Sequence, residues 1–408
     1  MGKSVIVIGG GAAGLMAAYH AAKNENAVTL IEKNQKVGRK IMITGKGRCN
    51  VTNNCDNDTF IKNVAVNGRF LYSAISSFTA ADTMDFFENA GVPLKTERGN
   101  RVFPVSDKSS DIVDALFSTV KKCGVKIVNG TVKKLIKQDE RFFIELEDGE
   151  VIFADGVIIA TGGASYPLTG SNGDGYEFAR KLGHTIVPIK PSLVPLEIHE
   201  GFCTKLSGLT LKNVTLKVFE EGKEKPVFGE LGEMLFTHFG VSGPLVLSAS
   251  SLMRSVDKTK YFAFIDLKPA LDAQTLDKRL QRDLIENSNK DVVNSLDKLL
   301  PKSLIPVVLK LADIDERQKS NQMTKEQRNA LCGVIKGLKL TVTGFRPIEE
   351  AIITSGGVKV QEINPKTMES KIVQGLYFAG EIIDTDAYTG GFNLQIAFST
   401  GALAGKNI

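Results

Sequence analysis

Three glycines at the spacing Gly9-x-Gly11-x-x-Gly14 follow the apolar run Val5-Ile-Val-Ile8 and open the Ala-rich stretch Ala12 to Lys23. The spacing suits dinucleotide binding. Gly9 permits a tight turn, Gly11 lets backbone approach a pyrophosphate, and Gly14 allows a helix to pack closely on a sheet, with Ala13 in the same cofactor-facing turn. Phosphates placed there meet free N–H groups and the positive end of a helix dipole. Glu32 ends the next apolar run, eighteen residues after Gly14, where a carboxylate can hydrogen-bond ribose hydroxyls. The competing reading, a purely structural βαβ turn, does not account for that acid.

Other residues carry weaker signals. Arg39, Lys40 and Arg48 lie in a glycine loop after the second apolar run, where cations can neutralise pyrophosphate, although a solvated basic loop has the same pattern. Glu381 and Asp384 follow a strand end and fit ribityl or phosphate-linked hydrogen bonds; on residue type alone they also read as surface acids. Tyr166, His238 and Tyr388 are candidate proton donors, His238 having the useful pKa range, and a structural role fits each of them too. Cys49 has no partner cysteine at disulfide-reductase spacing and reads as packing.

The elements that must position these residues alternate. Val5–Ile8, Val28–Ile31, Val125–Val128 and Val157–Ala160 read as buried parallel strands, Ala12–Lys23 as a helix, and 141–155 as a hairpin around Asp148-Gly149. The fold class expected is α/β: a doubly wound, Rossmann-like domain made of residues 1–188 and 356–408. Residues 189–355 read as an insertion that is β-rich over 189–271 and helical over 272–338, with Pro301 placed to open a helix and a return strand over 339–355. Gly375–Gly380 reads as a further strand and Asn393–Ala404 as a small-residue helix.

Composition narrows the class. With 42% hydrophobic and 24% charged residues, neither wholesale disorder nor a fibrous repeat fits. A net charge of +5 over 408 residues is far below that of a dedicated nucleic-acid binder. Five cysteines, an odd number without a C-x-x-C pair, give neither a full disulfide set nor zinc-ligand spacing, so no metal is expected and the compartment reads as reducing. Lys3 before an apolar run resembles a signal peptide, but Gly9 to Gly11 break that run; Gly2 lacks the Ser/Thr at position 6 that myristoylation needs. No apolar stretch has the length of a membrane span, and cytoplasm is the expectation.

Gly38-Arg-Lys40 followed by Thr44-Gly-Lys-Gly-Arg-Cys-Asn-Val-Thr-Asn53 resembles a motif of the HI0933-like flavoproteins, as do Ala160–Pro167, Gly170–Gly175, Leu235–Pro244, Thr354–Val358, Gly375–Glu381 and Gly390–Leu394. The resemblance covers essentially the whole chain, and Lys46 departs from it where the family usually has glycine. It implies a glutathione-reductase-type domain holding FAD non-covalently. Gly47, Asn50, Thr161, Gly162, Gly380, Gly391, Phe392, Asn393 and Leu394 then join the cofactor residues, and the backbone of Val132 reads adenine. The insertion would form a lid over the flavin ring. Without a second G-x-G-x-x-G, NAD(P)H would bind transiently. The implied reaction is reduction of the conjugated C=C of an α,β-unsaturated ketone, of the 3-oxo-Δ4 or Δ4,6 bile-acid or steroid kind, with His238 or Tyr166 as proton donor. Oxidation of a small amine such as aminoacetone is the alternative. An RNA-modifying flavoprotein comes third, because Lys121-Lys122, Lys133-Lys134 and Lys137 are basic but no aromatic-basic platform accompanies them. The partner expected is therefore a small apolar ketone or small amine, not a nucleic acid.

Overall fold

Val5–Ile8 offers no polar side chain to water, and in the computed structural model, which describes residues 2–253 and 256–408, all four are buried in the middle of a parallel sheet. Strand β1 (Ser4–Ile8) lies between β2 (Ala27–Glu32) and the strand Gly156–Ile159; Leu376–Phe378 extends the sheet beyond the latter and Lys126–Asn129 beyond β2. All four pairings are parallel, and the register sets Ile8 opposite both Ile31 and Ile159. The strands therefore end together, and the loops leaving them share one edge. An antiparallel excursion, Val132–Gln138, Arg141–Leu146 and Val151–Ala154, turns at Gly149, whose φ of +91° suits glycine.

Helix α1 (Ala12–Lys23) and the final helix, Phe392–Asn407, run side by side in the same direction. Gly401 and Gly405 make this possible: a Cβ on either would stand 2.3 Å from the Ala13 or the Ala17 carbonyl oxygen. Alanines on one helix and glycines on the other bring the two backbones together without a side-chain layer.

The chain divides into two compact units, the first running to Ser192 and resuming over Pro347–Ile408, the second Leu193–Arg346. The second contains a closed six-stranded barrel in the order Leu196–Ile198, Gly240–Ser242, Phe228–Thr237, Thr210–Glu220, Tyr261–Asp266 and Leu338–Phe345. Alternation fills it: Leu211, Val214, Leu216, Val218, Ala263, Ile265, Leu340 and Val342 are buried. Helices Ala273–Glu286, Ile305–Leu311 and Lys325–Lys336 add Leu276, Leu280, Val308, Leu309, Leu331 and Ile335 to the same core. The first starts at Asp272, whose carboxylate accepts from the Thr275 N–H, and the last at a Thr324/Gln327 capping box.

Two details differ from the sequence reading. Pro301 lies in a turn before the helix that it was expected to open, and Pro306 stands in that helix's first turn instead. Residues 339–355 are not one return strand: Leu338–Phe345 belongs to the barrel, Pro347 and the 3-10 turn Ile348–Glu350 end it, and Ile353–Val358 pairs within the first unit with Ile186–Ser192. That last strand contains Pro188 and Pro191, tolerated because it has a partner on one side only and bulges between Val187 and Lys190. No helix among the described residues is long and apolar enough to cross a membrane.

Candidate functional site

The loop between β1 and α1 is held by its own backbone. The Gly9 N–H donates to the Ile31 carbonyl at 2.9 Å, and Gly14 lies so close under the loop that a Cβ there would stand 1.8 Å from the Gly9 carbonyl oxygen. Gly11 is the opposite case. A Cβ on it would meet no atom within 4 Å, so the loop presents bare backbone to open space, and no side chain caps the start of α1. The Glu32 carboxylate, 9% exposed, braces the loop: Oε2 accepts from the Gly10 N–H at 2.7 Å, and Oε1 from the Asn34 backbone N–H at 2.8 Å and side-chain amide at 2.6 Å. Of about four acceptor positions on a carboxylate, one stays available to a hydroxyl.

The three basic candidates have different fates. Arg39 is exposed and gives one N–H to the Asn34 Oδ1 at 2.9 Å, so a cation stands beside Glu32. Lys40 is turned inward onto Glu381, 2.6 Å away, and Ser165, 2.7 Å away. Arg48 bonds Glu97 and Asp107 and stacks over Phe103 at 4.1 Å, so two carboxylates already neutralise it. Its task is to order the loop at 45–49, which needs ordering because Gly45, Lys46, Gly47 and Cys49 all have φ between +57° and +83°. Lys46 thus adopts a conformation that glycine takes without strain. Cys49 is buried and burial pushes its thiol up to about 12, against a hydrogen bond from Thr44, so it is inert packing. The Asn50 Oδ1 is buried without a protein partner.

After the strand Gly156–Ile159, Thr161 has a buried Oγ1 without a protein partner, and the tight approach of Gly175 shields it; Gly162 has φ +78° with the Ser171 hydroxyl beneath it. Val132 begins a strand at the edge of its sheet. Gly380 packs on Ala13, to whose Cβ a Gly380 Cβ would come within 2.7 Å, and donates its N–H to the Thr400 hydroxyl. Asp384 is 9% exposed and accepts from the Asn67 amide at 3.0 Å.

The final helix starts at Gly391, whose φ is +101° and whose missing Cβ makes room for the Thr52 carbonyl. Phe392 packs edge-on against Phe60, and Leu394 is half-buried. Asn393 is committed, its amide exchanging both hydrogen bonds with the Ala387 backbone at 2.8 and 2.9 Å. Gly401 lies against Ala13 in this parallel pair, so the final helix begins about eight residues, or about 12 Å, beyond the start of α1. Two helix N-termini without side-chain caps therefore point the same way, offset along one line.

Of the proton-donor candidates, Tyr166 is half-buried at φ +53°, and burial pushes its phenol up. His238 lies exposed in the turn between two barrel strands of the second unit. Several residues were not singled out by the sequence: Asn34, which buttresses Glu32; Thr354, whose Oγ1 accepts from the Ala164 and Ser165 N–H groups at 2.8 and 3.0 Å; and the fully buried Gln395, which ties the final helix to Thr52, Phe78 and Thr79. Asn34 lies two residues after Glu32, Thr354 heads the Thr354–Val358 block already quoted without being given a role, and Gln395 follows the Gly390–Leu394 block.

A glycine loop at a helix start, a braced acid at the end of β2 and a second helix start further along the same line define a Rossmann-type site for a dinucleotide with two groups to hold. The HI0933-like protein Rossmann domain matches residues 3–407, and the chain belongs to this family of FAD-dependent oxidoreductases. The 3-dehydro-bile acid Δ(4,6)-reductase of Clostridium scindens is 31% identical over 404 residues, 98% of this chain and 97% of that protein. The ribosomal RNA dihydrouridine synthase of Haemophilus influenzae is 32% identical over 97% of this chain and 96% of its own. Among solved structures, a flavocytochrome c3 fumarate reductase aligns with TM-score 0.52 at 19% identity over 99% of this chain and 78% of its own. The 3-ketosteroid-Δ4-(5α)-dehydrogenase of Rhodococcus jostii RHA1 aligns at 0.51 and 14% identity, over 99% and 96%.

FAD fits the residues present: open space in front of Gly11, a spare acceptor on Glu32, and helix starts for the pyrophosphate and the ring. Glu32→Ala removes that acceptor and the brace on Gly10. FAD affinity is expected to fall by about 1 to 3 kcal/mol in a titration of apoprotein; unchanged affinity means the carboxylate serves the loop alone.

Proposed function

We propose that the protein reduces a carbon–carbon double bond conjugated to a carbonyl, on a 3-oxo-Δ4 or Δ4,6 steroid-like ketone, with NAD(P)H as a transient electron donor. The match to the bile-acid reductase along the length of both chains carries this reading. The dihydrouridine synthases support the same bond change, because making dihydrouridine saturates the uracil C5=C6 bond, itself conjugated to the C4 carbonyl. Across the Δ4 bond and across the uracil C5=C6 bond the β-carbon takes hydride and the α-carbon a proton; across the Δ6 bond of a Δ4,6 ketone the δ-carbon takes hydride and the adjoining γ-carbon ends with the proton.

The chemistry that FAD supplies when bound is two-electron transfer to and from carbon. The chain's part is to hold and to protonate. The uncapped start of the final helix favours negative charge in front of Phe392–Leu394. Tyr166 is the proton donor we assign, because it carries an O–H at neutral pH and adjoins Ser165 in the hydrogen-bonded loop of the first unit. Tyr166→Phe is expected to lower turnover by about 10² to 10⁴-fold with FAD binding intact; unchanged turnover removes Tyr166 from that role.

A second reading, reduction of uridine in RNA, rests on the likeness to the two ribosomal RNA dihydrouridine synthases, with a slight basic excess beside it. Residues 193–346 hold 23 Lys and Arg against 19 Asp and Glu, four of the five net positive charges of the chain. Anaerobic mixing separates the cases. Reduced protein reoxidised by a 3-oxo-Δ4 steroid supports the ketone; reoxidation by a uridine-containing ribosomal RNA fragment and not by the steroid moves the function to RNA. Bleaching by aminoacetone, with peroxide formed in air and no response to NAD(P)H, makes the enzyme an amine oxidase.

A further inference from the structure

Four glycine-rich segments of the first unit meet at one carboxylate. Glu381 Oε2 accepts from the Lys40 ammonium at 2.6 Å, and Oε1 accepts from the Ser165 hydroxyl at 3.0 Å and the Thr354 N–H at 2.8 Å. Lys40 also donates to Ser165 at 2.7 Å, closing a ring of lysine, serine and carboxylate. The donors come from the loop after β2, the loop after Gly156–Ile159 and the strand Ile353–Val358, while Glu381 itself follows Leu376–Phe378. Gly380, the neighbour of Glu381, packs on Ala13 beside the dinucleotide loop.

We propose that Lys40 is the counter-ion of Glu381 and acts on FAD only through it: a positioning residue that keeps the carboxylate ionised and aimed, not a cation for the pyrophosphate. Three of the roughly four acceptor positions of Glu381 are used, all by protein donors, and the remaining one suits a hydroxyl such as those of the ribityl chain. A phosphate oxygen has no proton to give it and would be repelled. Burial alone would push the Glu381 carboxyl up; Lys40, with the Thr354 N–H and Ser165, outweighs that and holds it below the usual carboxylate range. Removing Lys40 strands a negative charge where FAD must bring its own, whereas removing both charges leaves a neutral site of similar shape.

The inference rests on the FAD reading, and a double-substitution cycle on the full chain tests it by titrating apoprotein with FAD. Lys40→Met is expected to raise the Kd about tenfold or more and to lower the melting temperature of the apoprotein. In Lys40→Met/Glu381→Gln the melting temperature is expected to recover and the Kd to lie within about threefold of that of Glu381→Gln alone, because Lys40 acts only through Glu381, and Lys40→Arg is expected to bind nearly normally. If Lys40 touches the pyrophosphate instead, the double variant binds as weakly as Lys40→Met, and the proposal is overturned. Should Lys40→Met not fold, Glu381→Gln alone decides: it weakens FAD if Glu381 is the ligand, and tightens it if it frees Lys40 for the phosphates. A wild-type protein that takes up no FAD ends the cofactor reading as well; additive losses in the variants end only this inference.

Discussion

Gly14→Ala is expected to yield little folded protein, and Gly11→Ala a well-folded protein that has lost most of its FAD affinity. Both substitutions add one methyl group to the same loop, and both are called conservative by size. At Gly14 the Cβ would lie 1.8 Å from the Gly9 carbonyl oxygen, a backbone atom that can move only if β1 and α1 separate. The expected loss is about 3 kcal/mol or more, the range of severe backbone conflicts. At Gly11 the Cβ meets nothing within 4 Å, so the apoprotein should melt close to wild type. The methyl group occupies the space where a pyrophosphate must approach the N–H groups, and the Kd should rise about 10- to 100-fold. Melting curves with and without FAD check both. A Gly11→Ala protein that binds FAD normally would place the phosphates elsewhere.

The second large effect is expected at the junction of α1 and the final helix. Gly401→Val puts a branched side chain where a Cβ alone would stand 2.3 Å from the Ala13 carbonyl oxygen, prising apart two helices whose starts carry the site. A loss of about 3 kcal/mol or more is expected in chemical denaturation, together with weaker FAD binding. Gly333→Ala is the control. That glycine is exposed on the helix Lys325–Lys336 with open space around it, and alanine there should add about 0.5 to 1 kcal/mol through helix propensity alone.

Much of the first unit is written locally. Val5–Ile8, Gly9–Gly14 and Val28–Glu32 each announce their role within a few residues, because an aliphatic run, a glycine turn and the register of a βαβ unit are short-range facts. The ion pairs are not short-range. Lys40 finds Glu381 across 341 residues, and Arg48 finds Glu97 and Asp107 on a neighbouring strand and turn, so residue type and loop position left all three cations looking alike. Barrel closure was hidden for the same reason: Leu196–Ile198 pairs with Leu338–Phe345, and alternation shows which residues face inward but not which edges meet. Pro188 and Pro191 flank the boundary expected at 188/189, yet both lie within one strand, Ile186–Ser192, which accepts them because it is an edge.

The presence of FAD underlies every step from the glycine loop to the proposed reduction, and the visible spectrum of the purified full-length protein, followed by titration with FAD, tests it most directly. The chain has no tryptophan and seven tyrosines, so its 280 nm absorbance is low and bound flavin stands out against it. The expected result is a yellow protein, or a colourless one that takes up one FAD per chain saturably and loses that capacity in Gly11→Ala. A folded protein that stays colourless and binds no FAD at any concentration would contradict it.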